Sequence, residues 1–321
     1  MNISVIIPTY NRLKPLLNAL HSLQEQRLSE FEILVVDNAA DSEVAGMVAV
    51  FNQTAIVSAY YIAEPCLGLH NARHAGARAA NGELLVFTDD DATFDPGWLA
   101  AYQRAFAEHL EMAAAGGPIR PVWEVPPPRW LLDFLVDNDR RSMLSIMEPY
   151  HEFRIDPHGY FYGANMAIRR EALESSGGFN PETFGDRWLG DGESGLNRKL
   201  RAKGLLVGYV PGALAYHHLP SSRMTIEYLY GRGAKQGACT EYARFQGRIP
   251  GTGGLILRMT RIGLAIIRLG LITLIRIMRL DRFAFLQARI DLGYHLARLH
   301  YVFRLFSDQD LRESVMKTNW L

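Results

Sequence analysis

The chain of 321 residues is poor in cysteine and lacks the common glycine motifs of nucleotide-binding proteins. Its two cysteines, Cys66 and Cys239, are far apart and form neither a disulfide framework nor a CxxC metal site. No GxGxxG follows the first apolar run, and no GxxxxGK[ST] occurs anywhere in the sequence. These absences exclude a disulfide-stapled scaffold and leave dinucleotide-binding and P-loop interpretations without support.

The N-terminus also lacks the features of a secretion signal. The segment MNISVIIPTYNR has no basic stretch, no long apolar core and no small-residue cleavage site before its first β-rich run. We therefore expect the protein to stay in the cytoplasm.

The net charge is zero, because 34 Lys and Arg balance 34 Asp and Glu, but the charges are unevenly distributed. Residues 1–220 carry 18 basic and 27 acidic side chains, whereas residues 221–321 carry 16 and 7. An acidic part of this kind can hold a cation, and a basic part can face phosphates, an anionic membrane or an acidic partner. With 48% hydrophobic residues, the chain can also build a sizeable core.

Short apolar runs alternate with helical periodicity in the first part of the chain. The runs 3–7, 33–36, 56–62 and 84–88 predict strands, and the Ala-rich stretch 72–80 predicts a helix. This alternation indicates an α/β domain with a largely parallel sheet. The segment 118–128, which contains five prolines, predicts a loop or a crossing segment.

Acidic side chains follow two of the predicted strands. Asp89, Asp90 and Asp91 come directly after the run 84–88, and Asp37 ends the run 33–36. In α/β sheets ligands bind beside the carboxyl ends of the strands, so these carboxylates are expected in one crevice. Crowded carboxylates are unfavourable unless a cation neutralises them, and hard oxygen ligands favour Mg²⁺ or Mn²⁺. The sequence therefore predicts a divalent-cation site at this edge.

In their order and spacing, six segments of residues 1–240 resemble the family 2 glycosyltransferases of the GT-A fold: SVIIPTYNR, FEILVVDNAADS, GLHNARHAGARAANGELLVFTDDDATFDPGWL, GANMAIRREALESSGGF, GDGESGLNRKLRAKG and VPGALAYHH. The resemblance implies an α/β catalytic domain over residues 1–240, with a Rossmann-like mixed sheet flanked by helices. A basic, amphipathic helical extension is expected over residues 241–321. The resemblance also implies an inverting enzyme that uses Mn²⁺ or Mg²⁺ to transfer a sugar from a nucleoside diphosphate donor to an acceptor hydroxyl.

The resemblance assigns a nucleoside pocket to residues that follow the first two strands. Asn38 stands where the family often has a second aspartate, and its amide both donates and accepts hydrogen bonds, so uracil remains only one of the possible bases. The residues of this pocket are Pro8, Thr9, Tyr10, Asp37 and Asn38.

The same resemblance assigns the diphosphate and metal ligands. Arg73 matches an arginine near the base or the diphosphate. Asp89 and Asp91 match the DxD pair, with Asp89 directed towards the ribose or the metal and Asp91 as a metal ligand, and Asp90 belongs to the same donor site. His217, in the tandem that ends VPGALAYHH, matches a histidine that can approach the metal or the diphosphate, and neutral imidazole is a usable ligand.

The catalytic base is expected in the segment Asp191-Gly192-Glu193-Ser194, just before a helix. An ungapped match to the family places Glu193 on the base, and Asp191 is the alternative. The resemblance implies that this carboxylate takes the proton of the acceptor hydroxyl during in-line attack on the sugar. Such a displacement inverts the anomeric carbon and needs no covalent enzyme intermediate.

The C-terminal third contains a long apolar segment with a narrow basic stripe. Between residues 255 and 280 five arginines fall within an arc of roughly 80° on one helix, and they are Arg258, Arg261, Arg268, Arg276 and Arg279. The longest uncharged stretch, 269–275, is too short to span a membrane. We expect an interfacial helix with arginines at anionic headgroups, which predicts a peripheral position on the inner face of the cell membrane and a lipid-linked or saccharide acceptor. The alternative is packing on the catalytic domain or on a second subunit in a homo-oligomer.

Other functions are distinguished by particular features of the sequence. Nucleic-acid binding is not expected, because the basic stripe lies beside an apolar face without aromatic platforms. A sugar nucleotidyltransferase would have a Gly-rich, Arg-containing loop where this chain has Pro8-Thr9-Tyr10-Asn11. A catalytically silent homologue that binds a sugar nucleotide or tethers an assembly is a further alternative.

Overall fold

The computed structural model describes residues 1–40, 42–184, 187–188 and 190–321. The strands are β1 Ile3–Thr9, β2 Phe31–Asp37, β3 Ala59–Ala63, β4 Leu84–Thr88, β5 Ala92–Phe94, β6 Met112–Gly116, β7 Ile119–Trp123, β8 Arg154–Asp156, β9 Asn165–Arg169, β10 Thr183–Phe184, β11 Arg187–Trp188, β12 Leu206–Tyr209 and β13 Ala215–Leu219. The α-helices are α1 Leu13–Gln24, α2 Ser42–Phe51, α3 Leu69–Ala79, α4 Trp98–Glu108, α5 Arg129–Asp137, α6 Arg170–Ser175, α7 Gly192–Ala202, α8 Ile226–Phe245, α9 Thr252–Met278, α10 Ala284–Arg304 and α11 Gln309–Met316.

The main sheet has eight strands in the order β3-β2-β1-β4-β9-β6-β12-β8. The first four strands of this order are parallel, whereas β9 runs antiparallel between β4 and β6. The prediction of an α/β domain is therefore confirmed, and the sheet is mixed, as the resemblance implied. The third strand begins at Ala59 rather than at residue 56, and Ile56 is exposed.

The central strands are buried on both faces because helices cover each side of the sheet. Side chains of β1 alternate between the two faces. Val5 and Ile7 pack with α1, α2 and α4, and Ile6 packs on the other face against α3, α6 and α7. Two apolar layers of this kind explain why β1, β2 and β4 appear in the sequence as nearly continuous apolar runs.

The prediction that residues 118–128 form a loop is wrong for residues 119–123. These residues form β7, which pairs with β13 in a second sheet of order β5-β13-β7. Pro121 is tolerated because β7 is an edge strand, where the missing backbone N–H removes no ladder hydrogen bond. This small sheet carries β13 and its histidines towards the end of β4.

The C-terminal helices pack on one another through a buried ionic cluster. Helix α10 packs against both α8 and α9. Glu241 of α8 is fully buried and accepts hydrogen bonds from Arg258 of α9, at 2.5 and 2.8 Å, and from Arg298 of α10, at 2.7 Å. Helix α8 continues without a break through residue 240, the boundary expected from the sequence.

The arginines of α9 do not form one solvent-facing stripe. Arg258 pairs with Glu241, and Arg276 pairs with Asp281 at 2.6 Å, so two of the five side chains serve contacts within the protein. The other three, Arg261, Arg268 and Arg279, are exposed. Beside them runs an exposed apolar face made by Ile256, Leu257, Leu264, Ile267, Leu271, Leu274, Ile275 and Met278. No helix in the described part of the chain is both long and apolar enough to cross a bilayer.

Candidate functional site

A cavity of about 490 Å³, the strand-end cavity, lies at the carboxyl ends of β1 and β4. The two strands are parallel neighbours in the sheet, with Ile6 paired with Phe87, so the loops that follow them meet. The lining includes Pro8, Thr9, Tyr10, Asn38, Asp89, Asp90, Asp91 and His217, and also Arg12 and Arg223. The structure thus brings eight of the predicted site residues to one cavity.

Asp90 points towards the end of β1. Thr9 donates a hydrogen bond of 2.8 Å from Oγ1 to Asp90 Oδ2, and Arg12 lies 3.1 Å from Asp90 Oδ1. Burial raises the pKa of Asp90 to about 6, against the opposing charge of Arg12. These contacts hold the loop after β4 against β1.

Asp91 lies at the centre of a cluster of cationic and imidazole side chains. Its Oδ2 is 2.9 Å from Arg12 Nη1 and 2.8 Å from Arg223 Nη2, and its Oδ1 is 3.4 Å from His217 Nε2. Burial alone would raise the pKa of this carboxyl, but His217, Arg223 and Arg12 together lower it below its ordinary value. Asp91 is therefore ionised, and two guanidinium groups neutralise it. Neither Arg12 nor Arg223 was selected from the sequence, because an isolated arginine carries no motif.

Strand alternation separates the two tandem histidines of β13. The His217 ring lies between Asp91, Arg223 and the Leu144 carbonyl, with Nδ1 3.2 Å from Leu144 O. His218 instead hydrogen-bonds Thr93 through Nε2 at 2.9 Å. Successive side chains of a strand point to opposite faces, so only one of the two can reach the strand-end cavity.

The predicted metal ligands of this site are Asp89, Asp91 and His217. Within residues 1–40, 42–184, 187–188 and 190–321 no group of three or more His, Cys, Asp and Glu side chains is arranged to hold a metal. Asp89 and Asp91 offer carboxylate oxygens to the cavity, and His217 offers a nitrogen beside Asp91. Mg²⁺ commonly uses one or two carboxylates together with substrate phosphates and water, so this donor set suits an ion that arrives with a diphosphate.

Asp37 and Asn38 serve the loop around the cavity. Asp37 is fully buried, with Oδ1 accepting the Ala39 N–H at 3.0 Å and Oδ2 accepting the Tyr61 hydroxyl at 3.1 Å. Asn38 lines the cavity, but its amide donates to the carbonyls of Glu64 and Cys66, each at 2.9 Å, and its oxygen accepts the Gly68 N–H at 2.7 Å. The amide of Asn38 therefore shapes the approach to α3.

Arg73 of α3 is buried beneath the cavity and contacts three carboxyl groups. Its Nη2 lies 3.3 Å from Asp89 Oδ1, and its Nη1 lies 3.5 Å from Glu182 Oε1 and 3.6 Å from Glu193 Oε2. Burial opposes its charge, but Asp89, Glu182 and Glu193 raise the pKa of the guanidinium above its ordinary value. Burial raises the pKa of Asp89 in turn, with Arg73 opposing the shift. One cation thus joins the loop after β4 to the start of α7.

Glu182 and Glu193 form a carboxyl pair beside Arg73. Burial and the neighbouring Glu193 raise the pKa of Glu182 well above its ordinary value. Burial would also raise the pKa of Glu193, but the charge of Arg73 and the hydrogen bond with Glu182 lower it. Glu193 therefore carries the negative charge of the pair. Sequence reasoning missed Glu182, since its only local signal is a single acidic residue after a proline.

A second cavity of about 650 Å³, the α8 cavity, opens beside this pair. Its lining includes Glu193 and Asp191 together with residues of α8 and α10. Four side chains line both this cavity and the strand-end cavity, and they are Ser145, Glu182, Arg232 and Lys235. The two cavities therefore share a wall, with the strand-end carboxylates on one side and Glu193 on the other.

Asp191 differs from Glu193 in that its carboxylate is almost completely buried. It accepts a hydrogen bond of 2.7 Å from Asn180 on Oδ1, and Arg198 pairs with Oδ2. Burial raises the pKa of Asp191 despite the charge of Arg198. Its side chain is 1% exposed, whereas that of Glu193 is 25% exposed. Of the two candidates for a base, only Glu193 presents an accessible carboxylate.

The fold and site define a class of protein. A mixed α/β sheet with aspartates at a strand end and flanking helices is the architecture of the GT-A glycosyltransferases. Residues 4–177 match the model of glycosyl transferase family 2, and the chain belongs to that family. The family description and the names of two relatives, a glucuronosyltransferase and a chondroitin synthase, are those of sugar-transferring enzymes.

Relatives of known sequence cover different parts of the chain. An uncharacterised glycosyltransferase of Bacillus subtilis is 30% identical over 174 residues, which are 50% of this chain and 62% of that protein. The glucosyl-dolichyl phosphate glucuronosyltransferase of Haloferax volcanii is 24% identical over 245 residues, 74% of this chain and 75% of that protein. The chondroitin synthase of Escherichia coli is 26% identical over 249 residues, 69% of this chain but 35% of the synthase. The chain thus spans less than two thirds of the first of these relatives and about a third of the last.

A solved structure shares the fold over nearly the whole chain. The mannosyltransferase of Pyrobaculum calidifontis, solved in complex with GDP-Man and Mn²⁺, superposes with a TM-score of 0.61. The alignment covers 96% of this chain and 87% of that one at 19% identity. At this identity the likeness establishes the GT-A fold, including the C-terminal helices.

Proposed function

We propose that this glycosyltransferase is an inverting, metal-dependent enzyme that moves a sugar from a nucleoside diphosphate donor to an acceptor hydroxyl in polysaccharide or glycolipid synthesis. The observation that carries the proposal is the shared wall of the two cavities. It brings the DxD carboxylates of one cavity next to the accessible carboxylate of Glu193 in the other. Donor and acceptor would therefore bind in adjoining cavities, on the two sides of this wall.

The donor occupies the strand-end cavity in this proposal. Pro8, Thr9 and Tyr10 take the nucleoside. Carboxylate oxygens of Asp89 and Asp91, with His217 beside Asp91, would hold Mn²⁺ or Mg²⁺ once the diphosphate completes the set of ligands. A bound divalent ion supplies Lewis-acid stabilisation of the charge that develops on the leaving diphosphate. The Pyrobaculum structure of the same fold, with GDP-Man and Mn²⁺ bound, supports a nucleotide sugar and a metal as ligands.

Glu193 is the proposed base, and Asp191 is proposed to position the start of α7. Because Arg73 and Glu182 keep Glu193 ionised, its carboxylate can accept the proton of an acceptor hydroxyl in the α8 cavity. Asp191 is occupied by Asn180 and Arg198 and cannot accept that proton without losing one of these partners. Arg73 holds Glu193 at a fixed position relative to Asp89.

The exposed face of α9 is proposed to lie on an anionic bilayer. An apolar face bordered by Arg261, Arg268 and Arg279 matches a surface with acyl chains below and anionic headgroups above. This placement supports a lipid-linked acceptor and a peripheral position on the inner face of the cell membrane. The name of the Haloferax relative, a glucosyl-dolichyl phosphate glucuronosyltransferase, is in keeping with such an acceptor.

The proposal is tested by incubating the full chain with radiolabelled UDP- and GDP-sugars, Mn²⁺ and a membrane extract. We expect transfer or donor hydrolysis that requires the metal and is lost in Asp91→Ala and in Glu193→Gln. The exposed Glu174→Gln serves as the control and should keep full activity. Donor binding without turnover would instead favour a silent homologue, and formation of a nucleotide sugar from a nucleoside triphosphate would favour a nucleotidyltransferase.

A further inference from the structure

The wall between the two cavities carries cationic side chains on one face of α8. Arg232 and Lys235 line both cavities, and Gln236 and Cys239 continue the same face into the α8 cavity. This spacing of three, four and seven residues matches the repeat of an α-helix, so these side chains project in one direction. The cationic part of the wall is therefore a continuous surface of one helix.

Helix α8 is held firmly in this position. Gly233 and Gly237 let α8 approach α10 so closely that an added Cβ would meet the backbone of Ile290 and of Tyr294. Arg232 also donates from Nε to the Met143 carbonyl at 3.2 Å, which orients its guanidinium. A side chain on such a wall is preorganised for a ligand.

The carboxylates around this wall already have cationic partners. Glu182 and Glu193 share Arg73, Asp191 pairs with Arg198, and Asp291 pairs with Arg140 at 3.1 Å. Within the part of the chain that the structure describes, Arg232 makes no ion pair with any of them.

Lys235 stands three residues further along the same helix and adds a second cation to the wall. Burial and the charges of Arg232 and Arg223 lower the pKa of the Lys235 ammonium, against the opposing charge of Glu182. The wall between the cavities therefore presents two neighbouring cationic side chains that an anionic group in either cavity can contact.

We propose that Arg232 and Lys235 form a subsite for an anionic group of the sugar substrates, a carboxylate or a phosphate, other than the donor diphosphate. This inference depends on the proposed function. The diphosphate is expected at Asp89 and Asp91, where Arg12 and Arg223 contact Asp91. An anionic group at the shared wall belongs either to the transferred sugar or to the acceptor unit that receives it.

The test compares charged and uncharged probes in the intact protein loaded with Mn²⁺. In the donor arm, calorimetry measures the affinity for UDP-glucuronate against UDP-glucose and for GDP-mannuronate against GDP-mannose. In the acceptor arm, glucuronate and glucose 1-phosphate are titrated against glucose in the presence of Mn²⁺ and UDP or GDP. Each titration is made with wild type, with Arg232→Gln/Lys235→Gln, and with Arg244→Gln as the control.

The control removes one exposed positive charge from the same helix outside both cavities. We expect the double variant to bind the anionic probe of one arm about tenfold or more weakly, because charge-assisted hydrogen bonds are stronger than neutral ones. Its affinity for the uncharged probes and the unfolding midpoint should match those of Arg244→Gln. Arg232→Lys should recover part of the loss. The arm that responds identifies whether the anionic group lies on the transferred sugar or on the acceptor.

Two results would overturn the subsite. One is an equal loss of affinity for charged and uncharged sugar nucleotides and for UDP or GDP alone, which would assign both cations to the diphosphate. The other is unchanged affinity for every anionic probe. If wild type bound neither UDP nor GDP with Mn²⁺ and turned over no donor, the proposed function itself would fail, and that result is distinct from the first two.

Discussion

The Nη1 atom of Arg73 lies 3.6 Å from Oε2 of Glu193, so a side chain of α3 buried beneath the strand-end cavity reaches the carboxylate of the α8 cavity. The other terminal nitrogen of the same guanidinium contacts Asp89 at 3.3 Å. Because the guanidinium is planar and rigid, these contacts set the distance between Asp89 and Glu193. In the proposed reaction, Arg73 would therefore couple the positioning of the donor to that of the acceptor.

Arg73→Met should destabilise the fold and impair the reaction together. Removing the cation leaves three carboxyl groups without their shared partner, which costs about 3–5 kcal/mol for a buried pair. We expect a lower free energy of unfolding in urea and a lower kcat. Arg78→Met, on the exposed side of the same helix, removes only a surface pair of 3.8 Å with Glu64 and should change stability by about 1 kcal/mol or less. Equal stability of the two variants would contradict this role of Arg73.

Gly163→Ala should displace Arg73 without removing its charge. A Cβ at Gly163 would collide with the Arg73 guanidinium, whose side chain is fully buried. We expect kcat to fall by about tenfold or more, since a small misplacement of reacting groups strongly slows catalysis. Gly46→Ala in α2, where an added Cβ meets nothing, is the control and should retain activity. Wild-type kcat in Gly163→Ala would show that the geometry of Arg73 does not matter.

Glu193 and Asp191 should be separated by two different measurements. Glu193→Gln removes the accessible carboxylate and should reduce kcat by about 100-fold or more, as expected for a general base, with donor affinity kept. Asp191→Asn weakens the contacts with Asn180 and Arg198 and should lower the free energy of unfolding by about 1–3 kcal/mol. Steady-state kinetics and urea unfolding of both variants distinguish the roles. The reverse pattern would identify Asp191 as the base.

Acid should destabilise the protein through His74. Burial and the charges of neighbouring His70 and Arg78 lower the pKa of His74 to about 3, and its Nε2 accepts the Phe179 N–H at 2.9 Å. The unfolded chain binds a proton at an ordinary pKa near 6.5, so the contribution of the neutral ring is present above that pH and is lost as the pH falls towards the folded pKa. Between pH 7.5 and pH 5 this side chain alone should remove about 2 kcal/mol of stability.

Urea unfolding of wild type and His74→Gln at pH 7.5 and pH 5 measures this contribution. The amide oxygen of glutamine can accept the same backbone N–H but does not titrate in this range. We expect the variant to lose less stability on acidification, while groups such as Asp90 contribute equally to both proteins. Identical losses in both proteins would exclude His74 as the source.

The apolar face of α9 should control membrane binding. Leu264→Glu/Leu271→Glu places two charges at the centre of that face, where both leucines are exposed, and should abolish sedimentation with phosphatidylglycerol vesicles. Val50→Glu, an exposed apolar position of α2, should bind vesicles like wild type. A second variant replaces the three arginines that border this face, Arg261, Arg268 and Arg279, by Gln. It should lose more affinity for anionic vesicles than for phosphatidylcholine vesicles.

Two outcomes would contradict a membrane role for this face. If wild-type protein stayed in the supernatant with anionic vesicles, the α9 face and the arginines beside it would not bind anionic membranes. A dimer in size-exclusion chromatography that Leu264→Glu dissociates would instead assign the face to a second copy of the chain.

Local sequence was sufficient to predict the main strands and the acidic residues that follow two of them. The strands β1, β2 and β4 can be predicted from consecutive residues alone. Because both faces of these strands are buried, nearly every residue in each run is apolar. The position of Asp89–Asp91 after such a run already indicated a crevice, because the carboxyl ends of parallel strands meet at one edge. The choice of His217 over His218 agrees with the alternation of β13, which turns only His217 towards Asp91.

Tertiary packing decided which of these side chains have partners inside the protein. Asp37 and Asn38 ended a strand in the sequence like the other site residues, yet their polar groups are bonded to Tyr61 and to the loop before α3. Of the five arginines predicted to form a stripe on α9, two are paired within the protein: Arg258 binds Glu241 of another helix, and Arg276 binds Asp281. Only the other three arginines border the exposed apolar face.

Sequence by itself thus determined the α/β architecture, the glycosyltransferase family and the location of the acidic crevice. Only the tertiary structure decided the partners of Arg73, which lies far along the chain from Glu182 and Glu193. It also brought Arg12 and Arg223 to Asp91 and turned one face of α8 into the wall between two cavities. The physical reason is that periodicity reports which residues are buried, whereas an ion pair depends on the three-dimensional distance between charges.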